Sequence, residues 1–265
     1  MARRSSRKEG LLNAIHKTTA ILFVVLATAV TPALAQDMCP CPPEPEPDPP
    51  WRTSIGLGFA YTTGNTDTQN LNLNLDVVHD PNTKNVFKAS GLWIRNETDG
   101  EVNANRAALT VRDEYTLSGR TFAFVELAYQ QDEFKELDSL WTPLAGIGHH
   151  LVDSESVRLT VDGAIGGAFE KLFEQDSTTD GTFKIGQSLR WQISGNAKLT
   201  QSAWGLWKFA DTSDSYYHFD LSLSSSVTGW MEIQLSLVDD YKNKPASPEL
   251  EKNDVALLAN LVLKL

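Results

Sequence analysis

The sequence is poor in cysteine and in basic residues, and these two shortages exclude several classes of protein. Its 265 residues include only Cys39 and Cys41, too few for a disulfide framework or a four-ligand zinc site. The 23 Lys and Arg residues are outnumbered by 34 Asp and Glu, for a formal net charge of −11. Nucleic acid is therefore excluded as the main partner, because its phosphates need a basic surface. Wholesale disorder is also excluded, since 41% of the residues are hydrophobic and only 22% are charged.

The N-terminal residues carry the three parts of a secretory signal in the required order. Arginines and lysines come first, and an apolar run of 13 residues follows from Thr18 to Val30. That run is too short to cross a bilayer, which needs about 20 apolar residues. The small-x-small triplet Ala33-Leu34-Ala35 comes next. We therefore predict a signal peptide over residues 1–35, cleaved after Ala35.

Proline is scarce except in one stretch, since eight of the 12 prolines fall between Pro32 and Pro50. Closely spaced prolines prevent both helix formation and ladder pairing, so residues 36–50 are predicted to form an extended periplasmic spacer. Cys39 and Cys41 lie in this spacer. Two interpretations of them stay open: part of a stiff solvated tail, or a site of cross-linking to a partner or to each other.

Long apolar runs are absent after residue 50, and the sequence alternates there instead. Leu71, Leu73 and Leu75, for example, alternate with Asn72 and Asn74. Twelve such segments follow one another to the C-terminus, most of them long enough for a tilted membrane crossing. The pattern predicts an all-β fold, a closed antiparallel up-and-down transmembrane β-barrel of about 12 strands over residues 51–265. The alternative, a soluble sandwich, would bury the apolar faces against each other.

Connection length favours the barrel and predicts its orientation. Every second connection except the first, the tight Gly64–Asp67, is predicted to be long, and the long ones are residues 96–104, 133–139, 170–179, 210–214 and 241–252. Outer-membrane barrels have short periplasmic turns and longer outer loops. The sequence therefore predicts the outer membrane of a Gram-negative bacterium, with both termini periplasmic. Aromatic residues at both ends of the strands are predicted to form girdles at the lipid boundaries, namely Trp51, Tyr61, Tyr115, Trp141, Trp191, Trp207, Tyr217, Trp230 and Tyr241.

Short motifs in a fixed order carry a family resemblance over most of residues 51–265. They are Gly64-Asn65-Thr66, Tyr129-x-x-Asp132-x-Phe134-x-x-Leu137 with Gly146-Ile-Gly148, and Asp240-Tyr241-x-x-x-Pro245 with Lys252-x-Asp254. With these motifs the chain resembles domain-of-unknown-function family 481, also described as salt-induced outer membrane proteins. The resemblance implies an outer-membrane barrel with no established activity.

The search for catalytic and metal-binding residues finds little. His218, Asp220 and Ser222 share one face of a strand, but no serine-hydrolase motif surrounds them, and a lumen-lining polar ladder is the simpler interpretation. Acidic residues of two predicted loops were weighed as calcium ligands, but their spacing matches no EF-hand: Glu133, Glu136 and Asp138, and Glu170, Glu174 and Asp176. We therefore predict no enzyme, no cofactor and no metal site.

The polar face of the strands is predicted to line the lumen with charges of both signs. The candidates are Arg52, Asp76, Arg106, Arg112, Glu114, Arg158, Asp162, Lys184, Arg190, Lys208, His218, Asp220 and Glu232, with Glu126 and Lys198 on the same face. Whether these charges plug the bore or leave a wet path depends on strand register, which the sequence does not give.

The primary hypothesis is a monomeric barrel that is structural or a narrow, non-catalytic channel for small solutes or ions. Its predicted partners are outer-membrane lipid and, during biogenesis, the barrel-assembly machinery. Acidic outer loops would attract cations to the mouth. Two alternatives stay open: a barrel hydrolase at the membrane surface, with His218 as the candidate base, and an adhesin or receptor that uses the acidic outer loops, especially residues 241–252.

Overall fold

The computed structural model describes residues 49–63, 68–98, 101–247 and 249–265. The predicted signal peptide and nearly all of the spacer lie outside these residues. Within the described residues the chain forms twelve strands and one turn of 3-10 helix, Glu133–Lys135. The strands are β1 Trp51–Thr63, β2 Thr68–His79, β3 Asn85–Thr98, β4 Glu101–Ser118, β5 Thr121–Asp132, β6 Leu137–Asp153, β7 Val157–Leu172, β8 Thr178–Gln192, β9 Ala197–Lys208, β10 Ser215–Ser226, β11 Met231–Lys242 and β12 Asn253–Lys264.

The strands close into a single barrel. Each strand pairs antiparallel with the next along the chain, and β12 pairs antiparallel with β1. The closing seam runs from Ser54 opposite Lys264 to Thr63 opposite Val255. Because the sheet closes on itself, no strand edge is left unpaired. The prediction of a closed 12-strand antiparallel barrel is confirmed.

The outer wall is apolar because the residues of one alternation phase all point outward. The middle of β7 illustrates the pattern, since Ile165 is 65% exposed while its neighbour Ala164 is buried. The same phase exposes large apolar side chains around the barrel, among them Leu57, Leu73, Leu109, Val125, Ile147, Ile185, Leu223, Ile233, Leu235, Leu257 and Leu261. An apolar belt of this extent is typical of a barrel whose surrounding solvent is lipid.

The two ends of the barrel differ. One end, which we call the terminal rim, carries the start of β1 and the end of β12. It also carries the connections 80–84, 119–120, 154–156, 193–196 and 227–230. The opposite end, the loop rim, carries the described connecting residues 133–136, 173–177, 209–214, 243–247 and 249–252.

The predicted alternation of connection length holds only in part. The expected long loop 96–104 is wrong, because β3 continues to Thr98 and β4 begins at Glu101. The expected loop 170–179 is also too long, because β7 extends to Leu172. These strands run on because their alternation continues into polar sequence, which backbone pairing accommodates as readily as apolar sequence.

Aromatic side chains lie near both rims. Trp51, Tyr115, Trp191 and Trp230 are exposed near the terminal rim. At the loop rim the ring nitrogen of Trp207 donates to the hydroxyl of Tyr217 at 3.1 Å. The ring of Tyr217 lies 5.9 Å from that of Tyr241, and Trp141 packs on Tyr129. The side chain of Tyr61 lies outside the described residues. The helical content of the described residues includes no segment long and apolar enough to span a membrane.

The barrel interior as candidate functional site

The interior face of the barrel is identified by contacts between strands that are not neighbours in the sheet. Arg106 on β4 forms an ion pair with Asp240 on β11, and these strands are five positions apart around the ring. Such a contact is only possible across the bore. The alternation phase of Arg106 is therefore the inward phase, and the thirteen candidates from the sequence all occupy it: Arg52, Asp76, Arg106, Arg112, Glu114, Arg158, Asp162, Lys184, Arg190, Lys208, His218, Asp220 and Glu232.

A network of ion pairs centred on Arg112 lies in the middle of the bore. Its guanidinium donates to Glu114 at 2.9 Å, to Glu126 at 3.1 Å and to Asp162 at 3.0 Å. Lys184 Nζ donates to the other oxygen of Glu126 at 2.5 Å. The network thereby joins β4, β5, β7 and β8 along one wall. Its charges of opposite sign satisfy each other, which is what burial of charged groups requires.

Two ion pairs cross the bore closer to the loop rim. Asp240 accepts from Arg106 and lies 2.7 Å from His218 Nδ1, and the His218 ring stacks on Trp204 with ring centroids 5.2 Å apart. A cavity of about 40 Å³ lies beside this pair, enough for about two water molecules. The second pair joins Lys135, in the 3-10 turn, to Asp254 on β12 at 2.7 Å.

At the loop rim itself lies a group that we call the Glu170 cluster, formed by Glu170, Lys208, Lys242, Tyr216 and Asp214. Glu170 accepts from Lys208 at 2.6 Å, from Lys242 and from the Tyr216 hydroxyl. Lys208 also donates to Asp214 at 2.6 Å. Glu170 had been expected in a loop and was weighed as a calcium ligand. It is instead a buried strand residue engaged by two lysines, which contradicts that role.

The interior also holds large apolar side chains, which the prediction of a lumen lined by charges of both signs did not include. Two groups of buried side chains lie in the inward phase: Ile94, Val238, Ala256 and Leu258, and Phe122, Phe124, Leu144, Ala164 and Leu206. Glycines make room for the two phenylalanines. A Cβ on Gly148 would lie 2.2 Å from the Phe122 ring, and one on Gly146 would lie 2.7 Å from the Phe124 ring. The rings therefore lie flat against the wall of β6.

Burial differs sharply between the two halves of the bore. Lys208 and Lys242 are the last residues of their strands at the loop rim, yet their side chains are only 8% and 10% exposed. At the terminal rim, Arg158 and Lys264 are equally close to their strand ends but are 52% and 42% exposed. These charged side chains are thus buried at the loop rim and exposed at the terminal rim, where Phe122 and Glu232 are nevertheless buried.

Some interior residues were absent from the lumen-lining prediction: Trp204, Tyr216, Asp240 and Lys242, together with Glu170. The signal that could have found Glu170 is the inward phase of β7, which continues from Ala164 through Gly166 and Ala168. The sequence prediction ends β7 before Glu170 and therefore assigns this inward position to a loop. Asp240 was noted only as part of a family motif, and its partner lies 134 residues away in the sequence.

The three residues weighed as a hydrolase site are not assembled as a triad. His218 is paired with Asp240, whereas Ser222 donates to Asp220 at 3.1 Å and lies 2.7 Å from the hydroxyl of Ser236. In the described part of the chain, no group of three or more His, Cys, Asp or Glu side chains is arranged to hold a metal ion.

The family model for proteins of unknown function DUF481 matches residues 55–265, which is nearly the whole barrel. The chain belongs to the DUF481 family. No curated protein matches the sequence of this DUF481 protein.

Two solved structures show the same fold. The DUF481 chain is similar to the NanC porin with a TM-score of 0.54 and 11% identity, over 80% of this chain and 100% of that one. It is similar to the COG4313 outer membrane channel from Pseudomonas putida F1 with a TM-score of 0.51 and 13% identity, over 85% and 99% of the two chains. The DUF481 protein therefore has the fold of a small outer-membrane channel.

Proposed function

We propose that this protein is a narrow, non-catalytic channel for small solutes or ions in the outer membrane of a Gram-negative bacterium. The apolar belt contacts outer-membrane lipid, and the protein acts as a monomer delivered by the barrel-assembly machinery. The loop rim faces outward and the terminal rim faces the periplasm, which places both chain ends there. The connection between β11 and β12, of which residues 243–247 and 249–252 are described, lies at the loop rim and supports this orientation.

The observation that carries the channel proposal is that individual side chains close the bore. In the loop half it is crossed by pairs of side chains, Arg106 with Asp240 and Lys135 with Asp254. The described residues contain no α-helix that could plug it. Ion pairs that water reaches contribute little to stability, and the charged side chains Arg158 and Lys264 are exposed at the terminal rim of this bore. A purely structural barrel has no need for a hydrated vestibule that leads to charged side chains.

The interior offers no support for a hydrolase. A serine nucleophile needs a base within hydrogen-bond reach, and His218 is engaged by Asp240 and Trp204 rather than by Ser222. Exposed acidic residues at the loop rim, such as Glu174 and Asp176, would favour the approach of cations from that side.

Planar-bilayer recording tests the channel. The purified protein should give small, resolvable conductance steps. The double variant Arg106→Ala/Asp240→Ala removes both partners of one crossing pair, and it should increase the conductance or the open time. Lys171→Gln is the matched control, because Lys171 belongs to an exposed pair with Asp138. If neither the wild type nor the double variant conducts above the lipid background, the channel proposal is wrong.

A further inference from the structure

The terminal half of the bore contains two cations that form no ion pair with any carboxylate of the described residues. Every other lysine and arginine in the inward phase of the described strands has a carboxylate oxygen within 4.0 Å: Arg52, Lys88, Arg106, Arg112, Arg158, Lys184, Lys208, Lys242 and Lys264. Arg190 on β8 and Lys198 on β9 form no such pair within the described residues. These two exceptions are neighbours in space.

The register places three cations side by side on one wall. Arg190 lies directly opposite Arg158 across the β7–β8 pair, and opposite Thr200 across the β8–β9 pair. Lys198 is two residues from Thr200 and is therefore a diagonal neighbour of Arg190. Directly opposite residues have Cβ atoms about 4.5–5.5 Å apart, and diagonal ones about 7–8 Å apart. Like charges directly opposite each other destabilise a sheet, so this arrangement lacks a structural reason.

Two of the carboxylates near these three side chains, Asp153 and Glu232, are already engaged, whereas Asp76 attracts Lys198 without forming an ion pair with it. Asp153 accepts from Arg158 at 2.8 Å. Glu232 accepts from Lys264 and from Ser226. The electrostatic field at Lys198 includes repulsion from Arg190 and Lys264, with attraction from Glu232 and Asp76. Arg190 is exposed to the bore, so its guanidinium is available to a solute.

We propose that Arg158, Arg190 and Lys198 form a binding site for the oxyanion group, carboxylate or phosphate, of a small anionic solute in the terminal half of the bore. Arginine donors in a planar fork match the paired oxygens of either group, and lysine adds a third charge-assisted hydrogen bond. The site lies between the terminal rim and the Arg112 network, so a bound anion is held in the terminal half of the bore. Only the route of the solute through the bore rests on the proposed channel function. The site itself does not.

Titration calorimetry of the full protein in detergent micelles tests the site without requiring conduction. The probes are inorganic phosphate and citrate, at low ionic strength because screening over about 10 Å sets in near 0.1 M salt. The wild type should bind at least one probe. Arg190→Gln and Lys198→Gln should each weaken binding about tenfold, the expected cost of losing one charge-assisted hydrogen bond. A preference for phosphate or for citrate identifies which oxyanion the site fits.

Lys88→Gln is the control, because it removes the same charge from the same half of the bore. Lys88 is paired with Glu114 at 2.8 Å, so its loss should change binding less than twofold. The proposal is overturned if neither probe binds, or if Lys88→Gln weakens binding as much as Arg190→Gln does. Binding without conductance would retain this site and refute the channel, whereas conductance without binding would do the reverse.

Discussion

Glu170→Gln tests whether the Glu170 cluster holds the loop half of the bore together. The substitution keeps the shape of the side chain and removes its charge. Lys208 keeps Asp214 at 2.6 Å, but Lys242 loses the only carboxylate with which it forms an ion pair in the described residues. Leaving one member of a buried pair without its partner costs about 3–5 kcal/mol. Because only Lys242 is left uncompensated, we expect the lower end of that range, about 3 kcal/mol.

Urea unfolding in detergent micelles, followed by tryptophan fluorescence, measures this loss. With a slope of about 3 kcal/mol per molar urea, the midpoint should fall by about 1 M. The double variant Glu170→Gln/Lys242→Met removes the unpaired charge of Lys242. It should recover much of the lost free energy of unfolding, because an apolar side chain replaces an unpaired ammonium. If the second substitution destabilises the protein further, by the amount it costs alone, then the two residues are not coupled and our account of the cluster is wrong.

Two further predictions concern the lipid face and the loops. Ile165→Arg places a charge at the middle of β7 on the outward face and should cost about 2–4 kcal/mol in urea unfolding. Ser90→Arg, on the inward phase of β3, should change stability much less, and equal costs would argue against lipid around the barrel. Between the loops, Lys244 and Ser213 donate to Asp211 and lower its carboxyl pKa from 3.8 to about 2. The contact should therefore persist above pH 3.8 and be lost as the pH falls through about 2; a carboxyl NMR titration should show this shift, and Lys244→Met should abolish most of it.

The sequence was sufficient to predict the wall of the barrel, because the alternation within each strand assigns its residues to two opposite faces. Leu71, Leu73 and Leu75 must leave Asn72 and Asn74 on the other side, whatever the neighbouring strands do. Strand number and the inward candidates follow from such local patterns. The ends of strands are harder to predict. Polar residues such as those before Thr98 can pair in a strand or lie in a loop.

The contents of the bore could not be predicted in the same way. The contact of Arg106 with Asp240 depends on the register of every strand between β4 and β11, and one slip would flip a whole face. Phe122 and Phe124 lie in a segment with apolar residues in both phases, so alternation does not say which phase is inward there. Their fit against Gly148 and Gly146 becomes visible only once β5 and β6 are aligned.

The packed loop half has an electrical consequence. In a conduit that is hydrated at one end and packed with side chains at the other, an applied voltage falls mostly over the packed stretch. Arg106, Asp240 and Lys242 therefore lie in the strongest field, where moving one elementary charge through the full drop is worth about 2.3 kcal/mol per 100 mV. Arg190, in the hydrated half, lies where the voltage barely changes. Membrane polarisation would therefore act on the crossing pairs rather than on the oxyanion site.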